Sequence, residues 1–494
     1  VASQGVEVDK GSVPASRRDQ VVVLCVAGAV LVERLGAALW VGPARRVLDN
    51  DEAVYFTAAA LMGRGSVLYR DVTVAQPPGL AAVLALPSRW LPVLDAIAVG
   101  RCLAALAGAG SIVLVGRLAL RRYSVGPAVA AMVVMALFPA AALSDRSLLV
   151  EPWLNLCTAA AAVWWLGDGR STLDVRRGTL GAGVALGAAA TFKWWAGMLV
   201  LPMALTLDGR PRAELARTVG VGAATTTLLL LPVLLLAPSD FFQQAVRYQW
   251  GRSDGAAVGE RLGPLLGAGT DPLAVRHLLP TLVAAAALVL LSRSVGPAGR
   301  DPVLRFGLVW YGLLVGAFLL GPYLGFHYTA HLSPALGLMA APVAQWVLVG
   351  RRSARPSVRS VALLLGVAVL VVLSMDLRWV YGDAVAHDPA PVGVEVRART
   401  EDGAVHAPSP DVVLRAGRVP GVDRAGRVRF DPLAASAPGD YRRPRDEPPP
   451  LPDRADLVVL GPIDDVAPAQ LLADGFLLVE ADPSSAITVW ERRP

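Results

Sequence analysis

A chain of 494 residues with 54% apolar and 17% charged residues and a mean hydropathy of +0.51 has too little polar surface to stay in water as several soluble domains. Its net charge of +6 comes from 46 basic residues of which only Lys10 and Lys193 are lysines. The arginines are scattered between apolar runs and form no stripe, which disfavours a nucleic-acid-binding role. Cys25, Cys102 and Cys157 lie inside apolar runs at spacings that suit neither zinc nor a disulfide framework.

Most of the chain divides into stretches of the length needed to span a bilayer. After a polar cytoplasmic segment, 1–20, we expect spans near 21–41, 95–119, 125–143, 152–167, 218–236, 273–292, 305–321, 332–349 and 360–380. The first apolar run resembles a signal sequence, but it is too long and lacks a cleavage site of small residues, so it reads as an uncleaved helix. Residues 53–63 and 79–91 are apolar but too short to span, and suit helices at the interface. The stretch 179–207 is too long for one ordinary span and carries Phe192-Lys193-Trp194-Trp195 in its middle. Its two flanks are basic, which places both in the cytoplasm and makes the stretch a short hairpin with Lys193 near the outer tip. Eleven membrane segments follow. The inner connections then carry 17 basic residues and the longer outer ones 9.

Beyond Tyr381 the character changes, with 13 basic and 19 acidic residues in 382–494. The expected organisation is a membrane body over 21–381, a Pro- and Arg-rich linker over 382–454 and a small extracytoplasmic α/β domain over 455–494. In that domain 457–460, 476–480 and 486–491 read as strands and 466–473 as a helix.

Charged groups near a bilayer are costly, so their location is informative. Under this topology Asp51, Glu52, Asp71, Asp145, Glu151, Lys193, Arg247, Arg252, His327 and His331 all gather at the outer surface. A solute pathway would instead place charges near the midplane. Glu33-Arg34, Arg101 and Arg117 come nearest to that, and pairing or snorkelling accounts for them.

The run Asp51-Glu52-Ala53-Val54-Tyr55, then Gly65, Tyr69-Arg70-Asp71 and Pro77-Pro78, resembles the first-loop pattern of the GT-C glycosyltransferases. Within that superfamily it is similar to the branch of the protein O-mannosyltransferases and the lipid A aminoarabinose transferase. The resemblance continues through Leu149-Val150-Glu151-Pro152, the Gly- and Ala-rich stretch 181–193 ending in Lys193, His327-Tyr328 and 332–340. It implies an all-α polytopic fold in the cell membrane, with the N-terminus cytoplasmic. The implied activity is inverting transfer of a sugar from a polyprenyl-phosphate donor to a hydroxyl of a cell-envelope glycan, lipid or protein. By the same resemblance Asp51 matches the general base, with Glu52 beside it, Glu151 the second acid and Lys193 the hairpin lysine. Arg247 and Arg252 join Lys193 as donor-phosphate ligands, and Tyr55, Tyr69, Asp71, Gln76, Asp145, His327 and His331 as substrate contacts. The aminoarabinose branch has an acidic–basic pair before its Pro, linked to a divalent metal and to phosphate. Ala75-Gln76 stand there instead, so no metal ligand is assigned and phosphate binding shifts to other cations.

The chemistry needs these residue types. An attacking hydroxyl must lose a proton to a carboxylate, the sugar passes through an oxocarbenium-like state, and the departing phosphate needs a fixed cation. Plainer readings remain for each: Asp51 and Glu52 as first-turn charges of a helix, Glu151 as a cap before Pro152 and Lys193 as an interfacial anchor. His327 and His331, four apart, also suit a metal or an interfacial polar face. The alternatives to a transferase are a lipid-linked-saccharide transporter and a non-catalytic assembly subunit.

Overall fold

The computed structural model describes residues 16–40, 50–167, 172–207, 210–251, 261, 301–321, 326–349, 405–406, 410–415, 417–421, 457–460, 471, 476–482 and 487–492. The expected spans 273–292 and 360–380 lie outside them.

Helices dominate. α1 (Arg17–Trp40), α2 (Asn50–Gly63), α3 (Gly79–Trp90) and α4 (Val93–Arg122) are followed by α5 (Val125–Ala136), α6 (Pro139–Ser144) and α7 (Glu151–Leu166). Then come α8 (Thr172–Ala190), a 3₁₀ turn Trp194–Leu199, α9 (Val200–Leu205) and α10 (Arg212–Leu236). α11 (Pro238–Phe241), a π-helical turn Phe242–Arg247 and α12 (Tyr248–Gly251) precede α13 (Pro302–Leu320), a 3₁₀ turn Phe326–His331 and α14 (Leu332–Val349). Four of these, α1, α4, α10 and α13, are long and apolar enough to cross a membrane.

Local chemistry explains the breaks. The expected span 125–143 is two helices, because the residue before a proline is pushed out of the helical region and Pro139 restarts the chain at Phe138. The hairpin's second arm begins as a 3₁₀ turn and is shorter than a bilayer is thick. α10 turns Leu228, Leu229, Leu231, Leu235 and Leu236 outward, apolar surface that is costly to leave in water. Its other side packs on α8 through small residues. A Cβ at Gly183 would lie 2.7 Å from the Thr218 carbonyl oxygen and one at Gly187 2.4 Å from that of Gly222. The Thr226 hydroxyl donates to the Gly187 carbonyl at 3.1 Å.

Within the stretch expected as a linker, residues 405–406, 410–415 and 417–421 are among those described. Helix α15 (Asp411–Arg415) packs against α2 and α4, and Leu414 and Val419 join the core of the helical body. Four strands, β1 (Val405–His406), β2 (Leu457–Leu460), β3 (Phe476–Asp482) and β4 (Ile487–Arg492), form a sheet in the order β1-β2-β4-β3. β1 and β2 are parallel and the other pairings antiparallel. Val458, Leu471, Phe476 and Trp490 make its core. Of the helix expected at 466–473 only Leu471 is among the described residues.

Candidate active site

Asp51 lies in the first turn of α2, and its Oδ2 lies 3.2 Å from Nε2 of His327 on the 3₁₀ turn before α14. Glu151 opens α7, and Lys193 follows α8 in extended backbone. The Lys193 Nζ donates to Glu151 Oε1 at 2.8 Å. Both side chains are almost completely buried, and among the described residues Glu151 Oε2 has no hydrogen-bond partner. The ammonium lies 3.5 Å from the Tyr328 ring centre and 4.4 Å from that of Trp195. Tyr328 is the neighbour of His327, whose ring meets it edge to face at 4.6 Å. The two acid–cation pairs are therefore parts of one cluster. Residues 276 positions apart in sequence (51 and 327) meet in it.

Burial alone lowers the His327 pKa, but the carboxylates of Glu151 and Asp51 more than offset it against Lys193. The imidazole is left above its ordinary value of 6.5. His331 is the opposite case: burial, with Lys193 nearby, pushes it down to about 3. It is neutral near pH 7, and its Nδ1 lies 2.5 Å from Asn155 Oδ1, so that nitrogen carries the proton. Asn155 is anchored in turn by donating to the Ala330 carbonyl at 3.0 Å.

The Lys193 turn is pinned from two sides. The Gly79 amide donates to the Thr191 carbonyl at 2.8 Å, and Trp194 Nε1 donates to the Ala245 carbonyl in the π-helical turn at 2.8 Å. Phe192 stacks on Trp153 at 6.1 Å. A Cβ at Gly79 would lie 2.6 Å from the Thr191 carbonyl oxygen, a backbone atom that cannot swing aside. We expect Gly79→Ala to destabilise the protein by about 1–3 kcal/mol and to weaken donor binding by moving Lys193. Thermal unfolding together with the donor KM checks this, and an unchanged KM would contradict it.

The other expected site residues separate into two groups. Tyr69, at φ 70°, is buried and donates its hydroxyl to the Gln76 carbonyl at 2.8 Å. Gln244, in the π-helical turn, donates to the Tyr69 carbonyl at 2.7 Å and accepts from the Val74 amide at 3.1 Å. Gln76 and Tyr55 are buried, and Asp71 Oδ2 accepts from the Val67 amide at 2.8 Å. Tyr69, Asp71 and Gln76 thus have contacts that shape the first loop. Elsewhere, Glu52 faces Arg101 on α4. Asp145 lies 3.5 Å from Arg34 of α1, and Arg34 also pairs with Glu33. Arg247 is exposed, and Arg252 lies outside the described residues. Arg101 is fully buried: it does not snorkel, because a carboxylate reaches it inside the helical body. An arginine in an otherwise apolar span was the signal for this pair. Nothing in the sequence pointed to Asn155 or Gln244.

Among the described residues no group of three or more His, Cys, Asp or Glu side chains is placed to hold a metal ion, and no step is built on one.

No family model and no curated protein matches the chain. Among solved structures it is similar to ArnT from Cupriavidus metallidurans bound to undecaprenyl phosphate. The identity is 15%, the TM-score 0.65, and the match covers 96% of this chain and 99% of that one. The apo state of the same ArnT matches at 15% identity and a TM-score of 0.61, over 96% of this chain and 98% of that one. The oligosaccharyltransferase AglB from Archaeoglobus fulgidus, in complex with an inhibitory peptide and a dolichol-phosphate, matches at 13% identity and a TM-score of 0.56. That match covers 83% of this chain and 64% of AglB. This chain has the fold seen in these ArnT and AglB structures.

Proposed function

We propose that the protein is a membrane glycosyltransferase that moves a sugar from a polyprenyl-phosphate donor to an acceptor hydroxyl on the outer face, with inversion. The observation that carries this reading is the meeting of Asp51, His327, Glu151 and Lys193 in one cluster. Asp51, the most exposed of the four side chains, takes the proton of the acceptor hydroxyl as its oxygen attacks the anomeric carbon. The bond from that carbon to the phosphate oxygen breaks, its electron pair stays on the phosphate, and polyprenyl phosphate leaves. Lys193 supplies the fixed positive charge for it, held in place by Glu151, with Arg247 and Arg252 as further phosphate ligands.

The His327–Asp51 pair gives the reaction an acid limb. A protonated His327 holds Asp51 as an ion pair and lowers its basicity, so transfer rises with pH through the raised His327 pKa. The stability contribution of the pair has the opposite sense: full below pH 6.5, it is lost as pH rises through the same raised value. We expect His327→Gln to move the acid limb of kcat/KM down toward the carboxylate range; a limb that stays in place would contradict the pairing.

The experiment that tests the whole reading is transfer by the purified full-length protein from a panel of polyprenyl-phosphate sugars, followed by release of polyprenyl phosphate. Transfer from a panel member that is lost in Asp51→Asn supports it. Movement of lipid-linked sugar across vesicles without any transfer would replace it with a transporter.

A further inference from the structure

The Glu52–Arg101 pair is expensive and sits where its geometry matters. Glu52 is 1% and Arg101 0% exposed. Arg101 Nε donates to Glu52 Oε1 at 3.2 Å and Nη2 to Oε2 at 3.1 Å, a two-pronged contact. Glu52 Oε1 also accepts from the backbone amide of Leu148 at 2.7 Å, three residues before Glu151. One carboxylate therefore joins the helix that carries Asp51 in its first turn to the loop that ends in Glu151. The same turn of α4 packs that loop as well. Gly100 leaves room for Leu148, whose side chain would lie 2.6 Å from a Cβ there. A buried ion pair adds little net stability, and apolar residues of similar volume often do as well or better. Its directional, two-pronged geometry is what an apolar pair could not supply.

We propose that Arg101 is a positioning residue, acting through Glu52 to fix Asp51 and Glu151 relative to each other. This rests on the transferase reading above, with Asp51 as its base. Glu52 is then the joint of the site and takes no proton from the substrate.

The test uses full-length protein carrying the double substitution Arg101→Met/Glu52→Leu, which removes both charges together. Transfer kinetics, melting and the titration of the histidine ring nitrogens by NMR are followed; the chain has five histidines, and His327→Gln assigns the relevant one. We expect melting lowered modestly, because the Leu148 amide loses its acceptor, and a kcat reduced at least about tenfold with the donor KM little changed, since Lys193 and its pinning are untouched. The His327 titration should fall toward its ordinary range as Asp51 moves off. A double variant that folds, turns over and titrates like wild type overturns the proposal. Should that variant fail to fold, Arg101→Lys keeps the charge but not the fork. An intermediate kcat at unchanged KM then supports positioning, and full wild-type turnover and titration overturns it. The titration reads the geometry without turnover. A wild-type protein that transfers no sugar, yet whose His327 titration moves in the double variant, would sink the transferase reading and leave the positioning intact.

Discussion

Asp51→Asn should slow sugar transfer by roughly 10²- to 10⁴-fold, the contribution of a placed general base, while donor binding stays near wild type. Asparagine preserves the volume and an oxygen to face His327 but cannot accept the hydroxyl proton. The variant also removes the counter-charge 3.2 Å from His327 Nε2, so the imidazole titrates lower than in wild type. Single-turnover transfer at saturating donor separates chemistry from binding. Activity within about twofold of wild type would remove Asp51 from the mechanism, whatever else the site does.

Lys193→Met should cost about 3–5 kcal/mol of stability, because it strands the buried Glu151 carboxylate without its cation. It should also weaken binding of a polyprenyl phosphate, since the ammonium held over Tyr328 and Trp195 is gone. The stability loss alone would not implicate Lys193 in function. The informative protein is Lys193→Met/Glu151→Gln, in which neither buried group is charged. Its melting should recover most of the loss while its affinity for polyprenyl phosphate does not. Recovery of both would reduce Lys193 to a structural partner of Glu151.

Much of the helical organisation was legible from hydropathy, and the break at Pro139 was there to be read. Asp51, Glu151 and Lys193 stood out because charge beside long apolar runs needs a reason. The resemblance placed them in one family pattern, and the structure brings them into one cluster with His327. What could not be read was partnership. Glu52 with Arg101, Asp145 with Arg34 and Gln244 with Tyr69 are separated by 49, 111 and 175 positions. Periodicity and capping signals act over a few residues, whereas these pairs exist only once α1, α2, α4 and the π-helical turn have packed. Lys193 shows the same limit. Its flanking tryptophans suggested a surface anchor, but the pinning by Gly79 and Ala245 draws it inward.

The clamp of Gln244 on Tyr69 and Val74 has a consequence for biogenesis. As the chain is made from its N-terminus, the loop over 69–76 leaves the ribosome long before its clamp exists. It must wait through synthesis of α3 to α11 for Gln244, and Asp51 must wait further still for His327. Local helices form early, but contacts of such long sequence separation come late because the intervening chain must first be ordered. A nascent protein halted before residue 244 would hold a protease-sensitive first loop at the membrane surface, and one extended past 331 would protect it.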